Sequence, residues 1–115
     1  MNYAQAGGLL LSVALISSGQ LMFKYVGVRL AAEGFSDLRA GLVAALSFAV
    51  YGAATVIWIL LLRTVPLSRA YPFMAASFIL VPLGSSLLYG ETLKPQYLAG
   101  VLLIAVGVAV AASSR

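Results

Sequence analysis

Four uncharged runs of 20 to 23 residues account for most of this sequence. They cover residues 1–23, 40–62, 70–90 and 95–114. A helix needs about 20 predominantly apolar residues to cross roughly 30 Å of hydrocarbon, so each run is long enough to span a membrane. Only 9% of the residues are charged, whereas about 25% are charged in an ordinary soluble domain. We therefore predict an all-α integral membrane protein, a bundle of four transmembrane helices.

The runs and the charges between them set the expected organisation of the chain. We predict one domain over residues 1–115, with helices at about 3–26, 40–62, 68–90 and 95–114. The first run lacks the basic leading segment and the small-residue cleavage pattern of a signal peptide, so we expect it to be retained. The mixed-charge segment between residues 25 and 39 is predicted to be a solvated loop without a chemical role.

The third run contains two prolines with different expected consequences. Ser68 is the expected N-cap, which puts Pro72 in or just after the first turn, where a missing N–H costs little. Pro82 lies in mid-span, where it removes one helical hydrogen bond and its ring pushes against the carbonyl of Phe78. In lipid such a break must face protein or water. We predict a kink at Pro82 and Gly84, either static or acting as a hinge beside a substrate path.

Residue types that are missing from the sequence narrow the function. There is no cysteine and no histidine, which excludes disulfides, thiolate or imidazole metal ligands and histidine-based triads. The three carboxylates, Glu33, Asp37 and Glu91, fall in loops or at helix ends and offer little for a paired-carboxylate hydrolase or a metal site. We expect no enzyme activity, no metal and no cofactor. The basic residues behind the net charge of +4 flank the spans, as lipid headgroup anchors do, so nucleic-acid binding is not indicated.

A polar stripe runs along the first span. Ser17, Gln20 and Lys24 follow the spacing i, i+3 and i+7, which places them on one face of a helix. A lysine facing the centre of the bilayer costs about 2.5 to 3.5 kcal/mol even on insertion scales, so the stripe is expected to face the bundle or a wet cavity. It either contacts a substrate, or it joins helices through Ser17 and Gln20 while Lys24 reaches the membrane surface.

Two arginines, Arg63 and Arg69, flank a proline turn before the third span. Unpaired N–H groups at a helix start add positive potential, so this region suits an anion, and a phosphate is the natural candidate. Arginines at a membrane boundary also commonly anchor to lipid headgroups. Both interpretations stay open at this point.

The fourth span has small residues suited to contact between subunits. Gly100 and Gly107 lie seven residues apart, a spacing that allows close helix approach. Basic residues divide three against four between the two membrane sides, so the positive-inside rule barely selects an orientation. We expect an antiparallel homodimer or a heterodimer with a sister four-helix subunit. In an antiparallel pair, Lys24 of one subunit and Arg69 of the other lie on the same membrane side.

Two segments carry a family resemblance. They are VPLSRAYPF at residues 65–73 and GETLKPQYLAGVLLIAVGV at residues 90–108. Together with four spans in about 110 residues, they resemble the drug/metabolite transporter superfamily in its short, four-helix form. The resemblance covers nearly the whole chain. Its last part is specific to the superfamily but says little about the substrate.

Two branches of that superfamily compete. Small multidrug resistance proteins export cationic compounds against protons with a membrane-embedded glutamate, which would fall near Leu15, yet the first span has no acid. An aromatic of that branch corresponds to Met74 here. The other branch, the aminoarabinose-phospho-undecaprenol flippase subunits, is more similar. The similarity lies in Ser-Gly-Gln-Leu before Lys24 and in the segment from Trp58 to Pro72.

The resemblance implies a flippase-type transporter of a polyprenyl-phosphate-linked sugar in the bacterial inner membrane. It suggests that Lys24, Arg63 and Arg69 neutralise the phosphodiester, while Ser17, Gln20 and Tyr71 hydrogen-bond the sugar. Glu91 is predicted to pair with Lys94 at a helix end. The alternatives are a proton-coupled exporter of cations and a membrane scaffold that does not transport.

Overall fold

The computed structural model describes residues 2–113, and this part of the chain is helical without a β-strand. Its elements are α1 (Tyr3–Glu33), α2 (Leu38–Leu62), α3 (Leu67–Ala70), a 3₁₀ segment (Tyr71–Ala76), α4 (Ser77–Tyr89) and α5 (Pro95–Ser113). The segments from Leu67 to Tyr89 form one helix of membrane length, so four helices are long and apolar enough to span a bilayer. The predicted all-α, four-span membrane fold is confirmed. Position 114, the expected end of the last helix, lies outside the described residues.

The first helix is longer than predicted. It begins with a capping box between Asn2 and Gln5 and continues to Glu33, past the expected end near Val26. The charges after Lys24 mark the edge of the apolar run, but a helix ends where its backbone is capped and not where the lipid ends. Gly34 provides that cap, with φ at 84° and its N–H donating to the Leu30 carbonyl at 2.9 Å. The predicted loop from residue 25 is therefore wrong over most of its length.

The α1–α2 connector is an ordered turn and not only a solvated loop. Asp37 caps α2 and accepts two hydrogen bonds from the Arg29 guanidinium, at 2.8 and 3.1 Å. This is the one ion pair among residues 2–113. The Arg29 guanidinium holds the pKa of the Asp37 carboxyl below its ordinary value, because hydrogen bonds and positive charge favour the ionised form.

Small and hydroxyl residues bring α1 and α2 into close contact. The Ser12 hydroxyl donates to the Ala54 carbonyl across the pair at 2.8 Å. At Gly19, an added Cβ would lie 3.3 Å from the Tyr51 ring, a tight contact that the absence of a side chain avoids. Apolar surface drives little association in lipid, and close packing of this kind is what joins the helices.

The third membrane helix departs from α geometry earlier than predicted. It begins at Leu67 after Pro66, which has no capping side chain, so Ser68 is a helical residue and not the N-cap. Pro72 is then the sixth residue of the helix, and its ring opposes the carbonyl of Ser68. The helix tightens into the 3₁₀ segment at this point, whereas Pro82 lies inside α4.

The bundle is packed at one end and open at the other. A core of Leu9, Val65 and Ala70 forms near the chain start, surrounded by Trp58, Leu61, Leu62 and Phe73. α5 makes its main contact with the 3₁₀ segment, and none of its residues 95–113 is buried. At the other end of the bundle, a cleft separates α5 from α4.

Candidate functional site

A groove opens between α1, α4 and the beginning of α5. Its larger part, about 660 Å³, lies between α4 and the α4–α5 connector, and its smaller part, about 300 Å³, reaches α1. Both parts are lined by Val81, Pro82 and Tyr97, so we treat them as one cavity, the lateral groove. The other lining residues are Ile16, Gln20, Ser77, Phe78, Ser85, Glu91, Thr92, Leu93, Lys94 and Gln96. Small-molecule pockets typically have volumes of about 300 to 1,000 Å³, so the groove can accommodate a polar headgroup.

The connector end of the lateral groove is polar because the chain turns back on itself after α4. Gly90 adopts the left-handed conformation, with φ at 67°, and its N–H donates to the Ser86 carbonyl at 3.1 Å, which closes α4. Glycine adopts this conformation without a steric cost. The turn brings Glu91 beside the last turns of α4, where its carboxylate accepts a hydrogen bond from the Ser85 hydroxyl.

This contact corrects the expected role of Glu91. Within residues 2–113, Glu91 and Lys94 form no ion pair. Both side chains nevertheless line the lateral groove. The groove therefore presents one carboxylate and one ammonium that do not neutralise each other through direct contact.

The three polar residues of the α1 stripe lie in different environments. Gln20 lines the smaller part of the lateral groove beside Pro82 and Tyr97. Ser17 is buried, and its hydroxyl has no hydrogen-bond partner among the described residues. Lys24 is exposed and lies one turn beyond Gln20 in the direction of the connector end.

The predicted arginine site lies at the opposite end of the molecule. Gln5 donates to the Thr64 hydroxyl at 2.9 Å, and Leu61 lies against Gly8, so the end of α2 is level with the start of α1. Lys24 is 16 residues beyond Gly8, or about 24 Å along the helix.

The three residues predicted at that end are all accessible. Arg63, Arg69 and Tyr71 are exposed, and the Arg63 Nε donates to the Leu60 carbonyl at 3.1 Å. Because of the distance along α1, one chain does not bring Lys24 together with Arg63 and Arg69. The predicted site is thus divided between the two ends of the bundle.

The two predicted hinge residues have different surroundings. Pro82 lines the lateral groove, whereas Gly84 faces α1. A Cβ added at Gly84 would come within 2.5 Å of the Leu21 side chain, so glycine permits the close approach of α4 to α1. Five residues after Gly84, the Tyr89 hydroxyl donates to the Leu21 carbonyl at 2.6 Å, a second contact between α4 and α1. The hinge role itself stays a prediction.

The predicted subunit interface is open in the single chain. A Cβ added at Gly100 or Gly107 would meet no atom within 4 Å among the described residues.

Sequence reasoning missed Ser85, Gln96 and Tyr97 as lining residues of the groove. The signal for them was the concentration of polar side chains on either side of Glu91 in an otherwise apolar region.

Curated relatives cover most of the chain. A probable 4-amino-4-deoxy-L-arabinose-phosphoundecaprenol flippase subunit ArnE of Pseudomonas savastanoi is 32% identical over 108 residues, which is 87% of this chain and 90% of the relative. The protein of the same name in Salmonella newport is 30% identical, covering 94% of this chain and 97% of the relative. The ArnE of Erwinia tasmaniensis is 40% identical over 67 residues, 58% of this chain. In the Enterobacter and Erwinia alignments, the chain spans 60% and 62% of the relatives.

No family model matches the sequence, and no solved structure matches it. The relatives confirm the predicted resemblance to the aminoarabinose-phospho-undecaprenol flippase subunits. Together with the four apolar helices, they also confirm the predicted location, a multi-pass protein of the bacterial inner membrane. The chain belongs to the family of probable 4-amino-4-deoxy-L-arabinose-phosphoundecaprenol flippase subunits named ArnE.

Proposed function

We propose that this chain is a flippase subunit that moves a polyprenyl-phosphate-linked sugar across the bacterial inner membrane, and that its role is transport and not catalysis. The main support is the lateral groove, whose polar end is set in an apolar bundle. The groove lies where α5 stands away from α4. A polar headgroup can enter such a cleft from the side while its polyprenyl tail stays in the lipid.

The predicted binding residues suggest a path with two ends. Gln20 hydrogen-bonds the sugar within the groove, with Ser17 behind it and Tyr71 at the far end. Lys24 at one end, and Arg63 and Arg69 at the other, neutralise the phosphodiester as it enters and leaves. The third helix, with Pro82 and Gly84 as the predicted hinge, moves against α1 to pass the headgroup along.

A second subunit completes the path in this proposal. α5 presents Gly100 and Gly107 on a surface that no other part of the described chain covers. Such small residues allow two helices to approach closely in lipid. The partner is a second copy in antiparallel orientation or a sister four-helix subunit. In the antiparallel pair, Lys24 and Arg69 from different chains meet on one membrane side.

A liposome assay with the full chain tests the function. A short-chain polyprenyl-phosphate sugar is placed in both leaflets, and a membrane-impermeant sugar-modifying reagent reports how much inner-leaflet lipid becomes accessible. We expect protein-dependent exposure of the inner-leaflet lipid. No exposure, with the chain alone and with a sister subunit added, would refute the proposal and direct attention to proton-coupled uptake of guanidinium compounds.

Two substitutions test the proposed phosphate contacts in the same assay. Lys24→Ala and Arg69→Ala should each lower flipping by about tenfold or more, because a charge-assisted hydrogen bond to the phosphate is lost. The amount of protein in the membrane should change little. Arg39→Ala is the matched control, since Arg39 is an exposed basic residue at the start of α2 to which the proposed path assigns no contact. Unchanged flipping in the first two variants would remove these residues from the path.

A further inference from the structure

A second groove, of about 590 Å³, lies between α1, α2 and the end of α4, and its lining residues differ from those of the lateral groove. They are Ser18, Leu21, Met22, Tyr25, Val43, Leu46, Leu88 and Tyr89. We infer that this cavity, the phospholipid groove, binds one acyl chain of a membrane phospholipid and that Arg29 binds the phosphate of the same molecule. The inference does not depend on the proposed function.

Two of the three hydroxyl groups that line the phospholipid groove already have partners. The Ser18 hydroxyl donates to the Ala14 carbonyl at 2.9 Å, and the Tyr89 hydroxyl donates to the Leu21 carbonyl at 2.6 Å. Both hydroxyls are thus directed to the backbone of α1, and the remaining lining is mainly leucine, methionine and valine. A polar solute would lose its hydrogen bonds with water there without replacing them. The groove therefore suits a hydrocarbon chain.

The face of α1 that lines the groove continues to an arginine. Ser18, Met22, Tyr25 and Arg29 follow the spacing i, i+4, i+7 and i+11, which places them on one side of the helix. The uncharged run of α1 ends at residue 23, so Ser18 and Met22 lie at hydrocarbon depth and Tyr25 lies at the edge. Arg29 is about 6 Å further along the helix, among the headgroups. This order, from hydrocarbon to charge, is the order of the parts of a phospholipid.

The geometry of Arg29 suits a phosphate ligand. Its Nε and Nη2 atoms donate to the Asp37 carboxylate at 2.8 and 3.1 Å, which fixes the guanidinium between α1 and the start of α2. A guanidinium has five N–H donors, and these two are the ones used within residues 2–113. The Arg29 side chain is 30% exposed, so its other donors are accessible. A phosphate at these donors gains charge-assisted hydrogen bonds in a fixed geometry.

The position of the phospholipid groove separates it from the proposed transport path. Gln20, which lines the lateral groove, is two residues from both Ser18 and Met22. Residues two apart on a helix do not share a face, so the two grooves lie on different sides of α1. The main contacts of α2 and of α4 within the bundle are with α1. An acyl chain in the phospholipid groove touches both helices and fills the space between them.

Binding to the purified full chain in detergent tests this assignment. The two probes carry the same acyl chains, one of them with a photoreactive diazirine, and are a phosphatidylglycerol and the matching diacylglycerol, which lacks the phosphate. Cross-linking is measured against lipid concentration. The wild-type chain should reach half-saturation with the phospholipid at an about tenfold lower concentration. This is the low end for hydrogen bonds to a charged group, because Asp37 shares the Arg29 charge. Arg29→Gln should remove the preference by weakening only the phospholipid.

A matched pair of substitutions on α2 tests the groove itself. Leu46 lines the groove and Leu42, one turn earlier, does not, although the two side chains are similarly exposed at 57% and 63%. Leu46→Trp should fill the groove and weaken both lipids by about tenfold, because the acyl chain loses its apolar contacts. Leu42→Trp should bind both lipids like the wild type. Lys94→Gln removes a basic residue of the lateral groove and should keep the preference for the phospholipid.

Four results would overturn the assignment. Equal effects of Leu46→Trp and Leu42→Trp, or wild-type cross-linking that does not saturate, would mean that lipids touch the surface without a defined site. Equal half-saturation of the two lipids in the wild type would remove the phosphate contact. If a short-chain polyprenyl phosphate displaces the phospholipid at the same concentration as unlabelled phosphatidylglycerol, the groove belongs to the transport path and the inference is wrong.

Discussion

The two ends of the bundle have similarly apolar sequences but differ in how tightly their helices pack. At the chain start, Leu9, Val65 and Ala70 are buried among larger apolar side chains. At the connector end, α4 and α5 diverge around a groove that contains Glu91 and Lys94. Both ends lie within or beside apolar runs, so hydropathy alone does not distinguish them. The comparison shows that a buried apolar core joins the helices at the chain start, whereas α5 diverges from α4 at the connector end, and three changes test this division.

The largest expected effect on stability is at the chain start, where the apolar core lies. Leu9→Ala removes a fully buried side chain, with 0% exposure, and should lower the free energy of unfolding by about 3 kcal/mol because it leaves a cavity. Leu11→Ala is the control, since Leu11 is 53% exposed on the same helix. Thermal unfolding in one detergent compares the two variants. Equal losses would show that the burial of Leu9 in the core at the chain start does not stabilise the fold.

A smaller effect is expected where α4 meets α1. Gly84→Ile places a branched side chain against Leu21 and should destabilise the fold by about 2 kcal/mol through overpacking. Leu21→Ala in the same chain makes room and should restore part of the loss. Gly52→Ile is the matched control on α2, where an added Cβ meets nothing within 4 Å. No recovery in the double variant would mean that the contact between Gly84 and Leu21 is not the cause.

The smallest effect concerns the α1–α2 connector and depends on pH. The pKa of Asp37 is held below its ordinary value by Arg29, so its contribution to stability is present above the ordinary value, about 3.9. That contribution is lost as the pH falls from there through the lowered pKa. The wild-type melting temperature should therefore fall slightly more than that of Asp37→Asn between pH 6 and pH 3, values chosen to bracket this range. Glu33→Gln should keep the wild-type slope, and identical slopes in wild type and Asp37→Asn would contradict the role of the pair.

Much of the fold could be predicted because lipid restricts a chain so strongly. An uncharged run of about 20 residues has few alternatives to a spanning helix. The end of α1 could not be predicted in the same way, because Lys24 indicates the edge of the apolar run and Gly34 ends the helix. The 3₁₀ segment was missed because the predicted N-cap at Ser68 placed Pro72 in or just after the first turn, where a proline is tolerated. The helix in fact begins at Leu67, so the ring of Pro72 opposes a helical carbonyl.

The candidate site was predicted less well, for a different reason. Gln20 and Pro82 were identified from one-dimensional spacing, and both line the groove. The pairing of Glu91 with Ser85 depends on the left-handed turn at Gly90, which sends the chain back along α4. The three-residue spacing between Glu91 and Lys94 favours a contact between them only if the helix continues past Gly90. Contacts made by a reversal of the chain need the backbone conformation, and sequence patterns do not contain it.

The length of α1 also has a consequence for how the protein sits in a membrane. Its 31 residues span about 46 Å, whereas the hydrocarbon layer is roughly 30 Å thick. To lie entirely within the hydrocarbon layer, α1 would have to tilt by about 50° from the membrane normal, which is beyond the usual range of about 0 to 40°. The last turns of α1 therefore project into the headgroup layer on one side only, and each chain has a thick face and a thin face. Two antiparallel copies would carry one projection on each membrane face, whereas two parallel copies would carry both on the same face, so the outline of the particle alone reveals the arrangement of the pair.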